Sequence, residues 1–231
     1  MTRMFNPKDI LYEDNHLFIV NKRVSQIVQG DKTGDVSMDQ MIKDFIKERD
    51  KKPGNVYLGL PHRLDRPVSG VVVFTKTSKA LSRMTGLFKS REVEKVYHAI
   101  VKEKPRPERA EIIHYLKKNE KQNKSWVVDE NTPGAKRAVL DYAVIGKSDN
   151  YYLLRVQIHT GRHHQIRAQL SAIGCPVKGD RKYGFPRSNR NSGISLHSRF
   201  ISFIHPVKKE RISLTAPYPE GDIWGIVGGR Q

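Results

Sequence analysis

The chain has 231 residues, 37% of them hydrophobic and 29% charged. That is enough for one domain burying roughly 70% of its unfolded surface, and too apolar and patterned for disorder. No apolar run approaches the ~20 residues of a membrane helix, Met1–Lys8 has no secretory apolar stretch, and the lone Cys175 excludes an intramolecular disulfide and a cysteine-based zinc site, so a cytoplasmic setting is expected. The net charge of +18 is uneven: residues 1–60 hold 10 basic and 9 acidic side chains, residues 61–231 hold 32 and 15, which points to a polyanionic partner, most simply nucleic acid, over a basicity that serves only solubility.

Ile10–Glu13 and His16–Asn21 read as two short strands around a turn at Asp14-Asn15. Ser37 opens a helix with Gln40 three residues on, as in a capping box, and Met38, Met41, Ile42, Phe45 and Ile46 form one apolar face. Lys51-Lys52-Pro53-Gly54 stops it, and Val56–Leu60 reads as a strand. Gly70–Thr75, with its Val71-Val72-Val73-Phe74 run, suits a buried strand. Ser78 is placed to cap a second helix presenting Leu81, Met84 and Phe88. Strands follow at Val93–Val101, Ala110–Leu116, Ser125–Asp129, Lys136–Ile145 and Tyr151–Ile158, then a third helix over Arg162–Ala172, late strands at Ile194–Ile204 and Arg211–Thr215, and a loose tail at Gly228-Gly229. Strands outnumber possible crossover helices, so the expected class is α+β with a mixed, largely antiparallel sheet and flanking helices.

Three stretches can carry chemistry. In the loop 61–70, Asp65 lies between Arg63 and Arg66 and is the only acid between Asp50 and Glu92. Neighbouring cations favour its ionised form, which can act as nucleophile or base, or form a structural salt bridge. In the stretch 158–170, Ile166, Leu170 and Ile173 give a buried helix face with Arg167 at its edge, and His163 and His164 fall on the same side. His159, His163 and His164 lack a local carboxylate to complete a metal site, so RNA contact or packing is favoured over metal binding. Tyr97 is either a core residue or a stacking platform for a base. No phosphate-binding loop, dinucleotide glycine pattern or nucleophile elbow is present, and no cofactor is expected.

Four stretches in order resemble the RluA family of RNA pseudouridine synthases: HRLDRPVSGVVVFTK at 62–76, EKVYHAIV at 94–101, TGRHHQIRAQL at 160–170 with GCPVKGDRKYG at 174–184, and LHSRFISFIHP at 196–206. YEDNHLFIVNK at 12–22 matches the family's first strands. The resemblance implies a catalytic domain over 10–218 with RNA in a basic cleft, a short extension at 1–9, a tail at 219–231 and no separate N-terminal RNA-binding domain. It also implies a cofactor-free isomerisation of uridine in ribosomal or transfer RNA, in which the base leaves C1′ through N1 and returns through C5. It casts Asp65 as the catalytic aspartate, Arg167 as its basic partner, Tyr97 as the tyrosine against the target base, Arg63 as the arginine that fills the gap of a flipped uridine, and Leu170 as a wall of the base pocket. His62, Arg66, Arg162 and His164, in the same motifs, are expected to contact substrate. RNA, in the form of a stem-loop, is the expected partner, with neither a membrane nor an obligate protein partner, and the chain is expected to be monomeric. The sequence departs from the pattern at Val68 (usually Thr), at Arg23-Val24-Ser25 (usually Pro-x-Gly) and at Gln169 (commonly His). A catalytically idle RNA-binding module of the same fold and a DNA-directed, glycosylase-like enzyme are the alternatives.

Overall fold

The computed structural model describes residues 4–30, 34–220 and 223–227. Ten strands form one sheet: β1 (Ile10–Glu13), β2 (Leu17–Lys22), β3 (Ser69–Thr75), β4 (Glu94–Val101), β5 (Arg109–Asn119), β6 (Lys124–Val128), β7 (Lys136–Lys147), β8 (Tyr152–Ile158), β9 (Leu196–Ile204) and β10 (Arg211–Thr215). The order is β1-β2-β3-β9-β4-β8-β7-β5-β6, with β10 beside β9. All pairings are antiparallel except β3–β9, so the α+β class with a mixed, largely antiparallel sheet is observed. The helices are α1 (Met38–Arg49), α2 (Ser78–Ser90), α3 (Gln165–Ala172) and the single turn α4 (Trp224–Val227).

Alternation explains why both sheet faces are covered. In β2 and β3, Phe18, Val20, Val72 and Phe74 face the core shared with Met38, Met41, Ile42 and Ile46 of α1 and with Ile166 and Leu170 of α3. Leu17, Ile19, Val71 and Val73 face the opposite core, with Met84 of α2, Ile201 and Phe203. A strand buried on both faces is apolar throughout, which is why the valine run reads as continuous. No helix among the described residues is long and apolar enough to cross a membrane.

The feature that positions the site is a split in the sheet. β3 touches β9 only through Ser69 with His197 and Gly70 with Ser198, and further along β9 the partner is β10. Gly70 has φ +111, and a Cβ there would lie 2.2 Å from the Ser198 carbonyl oxygen, so only glycine permits this approach. The freed edge of β3 is taken by the incoming chain: Gly59 exchanges two backbone bonds with Thr75 at 2.8 and 2.9 Å, and the Val73 N–H donates to His62 Nε2 at 2.9 Å.

Several local expectations are corrected. The strand expected at Val56–Leu60 reduces to the bridge at Gly59, because only that residue meets the open edge. Thr77, not Ser78, caps α2, accepting the Ala80 N–H at 3.1 Å. The Gln40 side chain bonds Asp44 at 2.8 Å instead of reaching back, and the Ser37 hydroxyl goes to Asp39, so no capping box forms. The third helix starts at Gln165, not Arg162, because His164 takes left-handed φ +52 and Gln165 Oε1 accepts the Arg162 N–H at 3.0 Å. Trp224 and Val227, expected in a tail, are buried against Ile100 and Leu153, while Gly228-Gly229 lies outside the described residues.

Four buried or half-buried imidazoles join these parts. His197 links Ser69 Oγ at 2.8 Å to the Ala216 carbonyl at 3.3 Å. His98 Nδ1 meets the Tyr218 hydroxyl at 2.6 Å, and Tyr218 stacks on Trp224 with centroids 5.0 Å apart. Burial pushes His62, His164 and His197 down to about 3 and His98 down to about 4, with neighbouring cations adding to it. Below the ordinary imidazole value of ~6.5 the unfolded chain binds protons that the fold refuses, so stability falls as pH falls. At pH 5 the deficit is about 2 kcal/mol per imidazole. The melting temperature is therefore expected to drop steadily between pH 7 and pH 5. A flat profile in thermal melts across that range would contradict the neutral, buried assignment.

Candidate active site

Asp65 begins a tight turn in which its carbonyl accepts the Val68 N–H at 3.0 Å. The turn is clamped from outside. The Arg66 carbonyl accepts the Ser25 N–H at 3.0 Å and the Lys22 ammonium at 3.1 Å, and the Pro67 carbonyl accepts the Ile194 N–H at 3.0 Å. Satisfied carbonyls on both sides leave the turn little freedom. The departing segment Arg23–Ser25 is thus part of the clamp, with Arg23 bonded to Asp9 at 3.0 Å.

The Asp65 carboxylate, 31% exposed, meets Arg167 and His164 from α3 and the residue before it. Arg167 NH1 donates to Oδ2 at 3.0 Å, and His164 Nε2 lies 3.3 Å from the same atom. Arg167 is buried and already engaged: its Nε and NH2 grip Asp180 at 2.6 and 3.0 Å, and Asp180 is 1% exposed. Its guanidinium also sits over the Tyr183 ring, 5.0 Å from the centroid. Burial opposes the charge on Arg167, but the bonds to Asp180 and the charges of Asp180 and Asp65 outweigh it and hold the group firmly cationic. His164 is neutral near pH 7, since burial and then Arg167 depress it more than Asp65 raises it. Its left-handed backbone turns the ring between Asp65 and the Tyr183 hydroxyl, which lies 3.0 Å from Nδ1. Lys22, fully buried, is pushed down to about 7 by desolvation, with Asp65 opposing and Arg66 adding to the shift.

A cleft of about 640 Å³ opens beside this group. Among the described residues Asp65 is the only carboxylate lining it, against Arg63, Lys89, Arg91, Lys95, Arg162 and Arg167. Tyr97 lines the wall. Burial, against a bond to Ser198, pushes its phenol up to about 12, with Asp65 adding to it. Arg63 is exposed at the rim, and Arg162 Nε donates to the Arg137 carbonyl at 2.9 Å.

The structure relocates three expected residues. Leu170 is fully buried in the core, while Leu64, Val68, Phe88, Ile158, Ile166 and Leu196 are among the apolar residues of the cleft wall. Arg66 points away, pairing with Asp35 at 2.8 Å beside a second, smaller pocket. His62 borders the cleft, but its ring is committed to the Val73 N–H and stacks on Phe88 at 4.6 Å. The histidines go to separate partners: His159 to Asp141 at 2.6 Å, His163 to Ser125 at 2.9 Å, His164 to Asp65 and Tyr183. No group of three or more ligating side chains suited to a metal ion occurs among the described residues.

Asp180, Tyr183 and Lys22 were missed as site residues. Asp180 carries the same signal that singled out Asp65, being the only acid between Asp149 and Glu210. Lys22 continues the alternation of Phe18 and Val20 onto the α1 face. Because Asp180 is buried and Asp65 is not, removing each charge has unequal consequences. Asp180→Asn strips Arg167 of its buried partner and leaves only the partly exposed Asp65 to balance it, and is expected to cost up to about 3–5 kcal/mol. Asp65→Asn leaves the Arg167–Asp180 pair whole and is expected to cost under ~1 kcal/mol. Urea unfolding of the two variants gives the order, and a reversed order would refute the assignment of Asp180 as the principal partner of Arg167.

A family model described as RNA pseudouridylate synthase matches residues 16–172. A Chlorobaculum parvum protein named as an uncharacterized RNA pseudouridine synthase is 35% identical, over 93% of this chain and 72% of that protein. The tRNA pseudouridine synthase C of Vibrio cholerae is 28% identical, over 94% of this chain and 92% of its own length. The solved structure of human RNA Pseudouridylate Synthase Domain Containing 4 shares the fold, with a TM-score of 0.77 at 23% identity over 92% of this chain and 89% of that one. The resemblance read from the motifs agrees with these matches, and the chain belongs to the RluA family of RNA pseudouridine synthases, enzymes that isomerise uridine in RNA.

Proposed function

We propose that the chain isomerises selected uridines in structured ribosomal or transfer RNA, with Asp65 as the catalytic carboxylate and the target base turned out of its helix into the cleft. One observation carries this reading: the only carboxylate of a cationic cleft stands partly exposed at its wall, held from behind by a single bond from Arg167. A carboxylate that served only structure would be expected deeper and bonded on more sides, as Asp180 is. The same contrast weighs against an idle RNA-binding module.

The reaction breaks the bond between C1′ and N1, rotates the base, and forms a bond between C1′ and C5; the C5 proton is lost, N1 gains one, and no atom leaves overall. Asp65 acts on the ribose, either by attack at C1′ or by removing a ribose proton, with the Arg167 guanidinium 3.0 Å from its Oδ2 as a fixed neighbouring positive charge. Tyr97 offers its ring to the base; with its phenol neutral at working pH, it enters the reaction protonated. Arg63, exposed at the rim of the cleft, is placed to fill the gap left in the RNA stack. Lys89, Arg91, Lys95 and Arg162 supply phosphate contacts, which position the RNA without reading its sequence.

Asp65→Ala is expected to abolish pseudouridine formation in total RNA, read by mass spectrometry after derivatisation, while RNA affinity stays within a few fold. Clear turnover by the purified variant would overturn the assignment. Wild-type affinity is expected to fall steeply with salt, by ~0.7–0.9 log units per neutralised phosphate for each log unit of salt; a flat response in filter binding would mean that the cationic cleft does not face the RNA.

A further inference from the structure

The β5–β6 hairpin is the outer edge of the sheet, and nothing in the reaction above uses it. It carries an exposed indole: Trp126 is 46% accessible, whereas the other tryptophan, Trp224, is 2% accessible. In the hairpin register Trp126 sits opposite Lys117, so both lie on one face. The Lys124 ammonium stands 3.8 Å from the Trp126 ring centroid and 4.9 Å from that of Tyr183. Lys117, Lys118, Lys121 and Lys124 face a single acid over 117–124, Glu120, which pairs with Lys118 at 2.6 Å. Lys182 adds a further cation, bonding the Gln122 and Asn123 carbonyls at the turn.

The hairpin is also fastened to the active-site wall. The Ser125 N–H donates to the Tyr183 hydroxyl at 2.9 Å, and Ser125 Oγ meets His163 Nδ1 at 2.9 Å. Tyr183 in turn touches His164 and lies under Arg167. The indole is therefore connected to Asp65 through a short run of side chains, with one cation over its ring and another across the strand. An edge strand with an open aromatic would invite pairing with a second copy, but a lysine-rich tip opposes self-association and favours a polyanion.

We propose that Trp126, flanked by Lys117 and Lys124, is a stacking platform for an unpaired nucleotide of the substrate RNA next to the one in the cleft. The proposal rests on the RNA-modifying reading above and deepens it: the recognised feature is a loop or bulge, because a base inside a duplex has no free face to offer. Stacking on an aromatic ring tolerates any base, and the lysines hold its phosphates.

The test uses Trp224→Phe protein, in which Trp126 is the only indole, and a stem-loop RNA with a uridine-containing loop. Indole emission is expected to be quenched by the stem-loop and much less by the same stem closed as a blunt duplex. In the wild-type background, Trp126→Ala is expected to weaken stem-loop binding about 10- to 100-fold with an unchanged melting temperature and salt slope, and Trp126→Phe to recover most of it. Lys117→Ala with Lys124→Ala is expected to lower the salt slope by ~0.7 for each phosphate that is no longer neutralised. Salt-dependent stem-loop binding by wild-type protein, with no quenching and no weakening in Trp126→Ala, would overturn the platform and leave the RNA reading standing. No RNA binding by wild-type protein would overturn both. A wild-type dimer in sedimentation that Trp126→Ala makes monomeric would assign the face to a second copy instead.

Discussion

Arg167 meets Asp65 with one of its two-donor edges already committed to Asp180. A free guanidinium beside a free carboxylate forms a bidentate pair, with two parallel bonds that occupy both oxygens. Here the edge formed by Nε and NH2 is committed to Asp180, and only NH1 is left for Asp65. Asp65 therefore receives positive charge without being enclosed. Its second oxygen is not gripped by Arg167, and the group stays 31% exposed. Asp180 performs two physical tasks at once: it neutralises a cation that would be costly alone in the interior, and it fixes the orientation in which that cation meets the Asp65 carboxylate. Neutral His164 completes the arrangement, because a protonated imidazole there would add a second full charge on the same oxygen.

This geometry depends on the split between β3 and β9. A sheet that stayed paired would leave no edge for the incoming chain and no turn at Asp65. The close approach at Gly70 ends the pairing after two residues, Gly59 and His62 take up the released donors and acceptors of β3, and the chain is delivered to the clamp made by Lys22, Ser25 and Ile194. Lys22 is well suited to that clamp and poorly suited to its surroundings. Its ammonium satisfies two carbonyls, those of Arg23 and Arg66, while burial drives it towards the neutral form. The nearby charge of Asp65 opposes that drive, so the turn and the carboxylate it carries support each other.

Where the apolar pattern was strong, the sequence was legible. The valine run of β3 and the stripe of α1 announced their elements to within a residue or two, and the strands expected at Val93–Val101 and Tyr151–Ile158 match β4 and β8 to one residue. Helix starts were harder, because several side chains can compete for the same orphan N–H groups: Thr77 and Ser78 are adjacent candidates, and tertiary contacts decide between them. The start of α3 could not be read because a non-glycine residue, His164, adopts a left-handed conformation that local propensity disfavours and the site imposes. The structure brings Asp65, Arg167, Tyr97 and His164, singled out from their motifs, to one cleft. Leu170 was misplaced because α3 is buried on nearly every side, so an apolar residue on it can face core as readily as cleft. Asp180 was passed over because its partner is thirteen residues away along the chain and across a turn at Gly179, a separation that periodicity does not encode.

Gln169 shows how a departure from the family pattern is absorbed. It is fully buried on α3, and its Nε2 donates to the carbonyls of Ile112 on β5 and Ala138 on β7, at 3.1 and 3.2 Å. A neutral histidine offers one N–H and could not serve both carbonyls from a single atom; the amide nitrogen carries two donors and can. The contact ties α3 to the strands that bear the outer hairpin, while Ser125 and Tyr183 tie the hairpin's other strand to the wall holding His164. The helix that presents Arg167 is thus bonded to β5 and β7 directly and to β6 through its neighbours. A rotation of α3 that moved Arg167 relative to Asp65 would break these bonds together, so the orientation of the Arg167–Asp65 pair and the placement of the cationic edge are one mechanical unit.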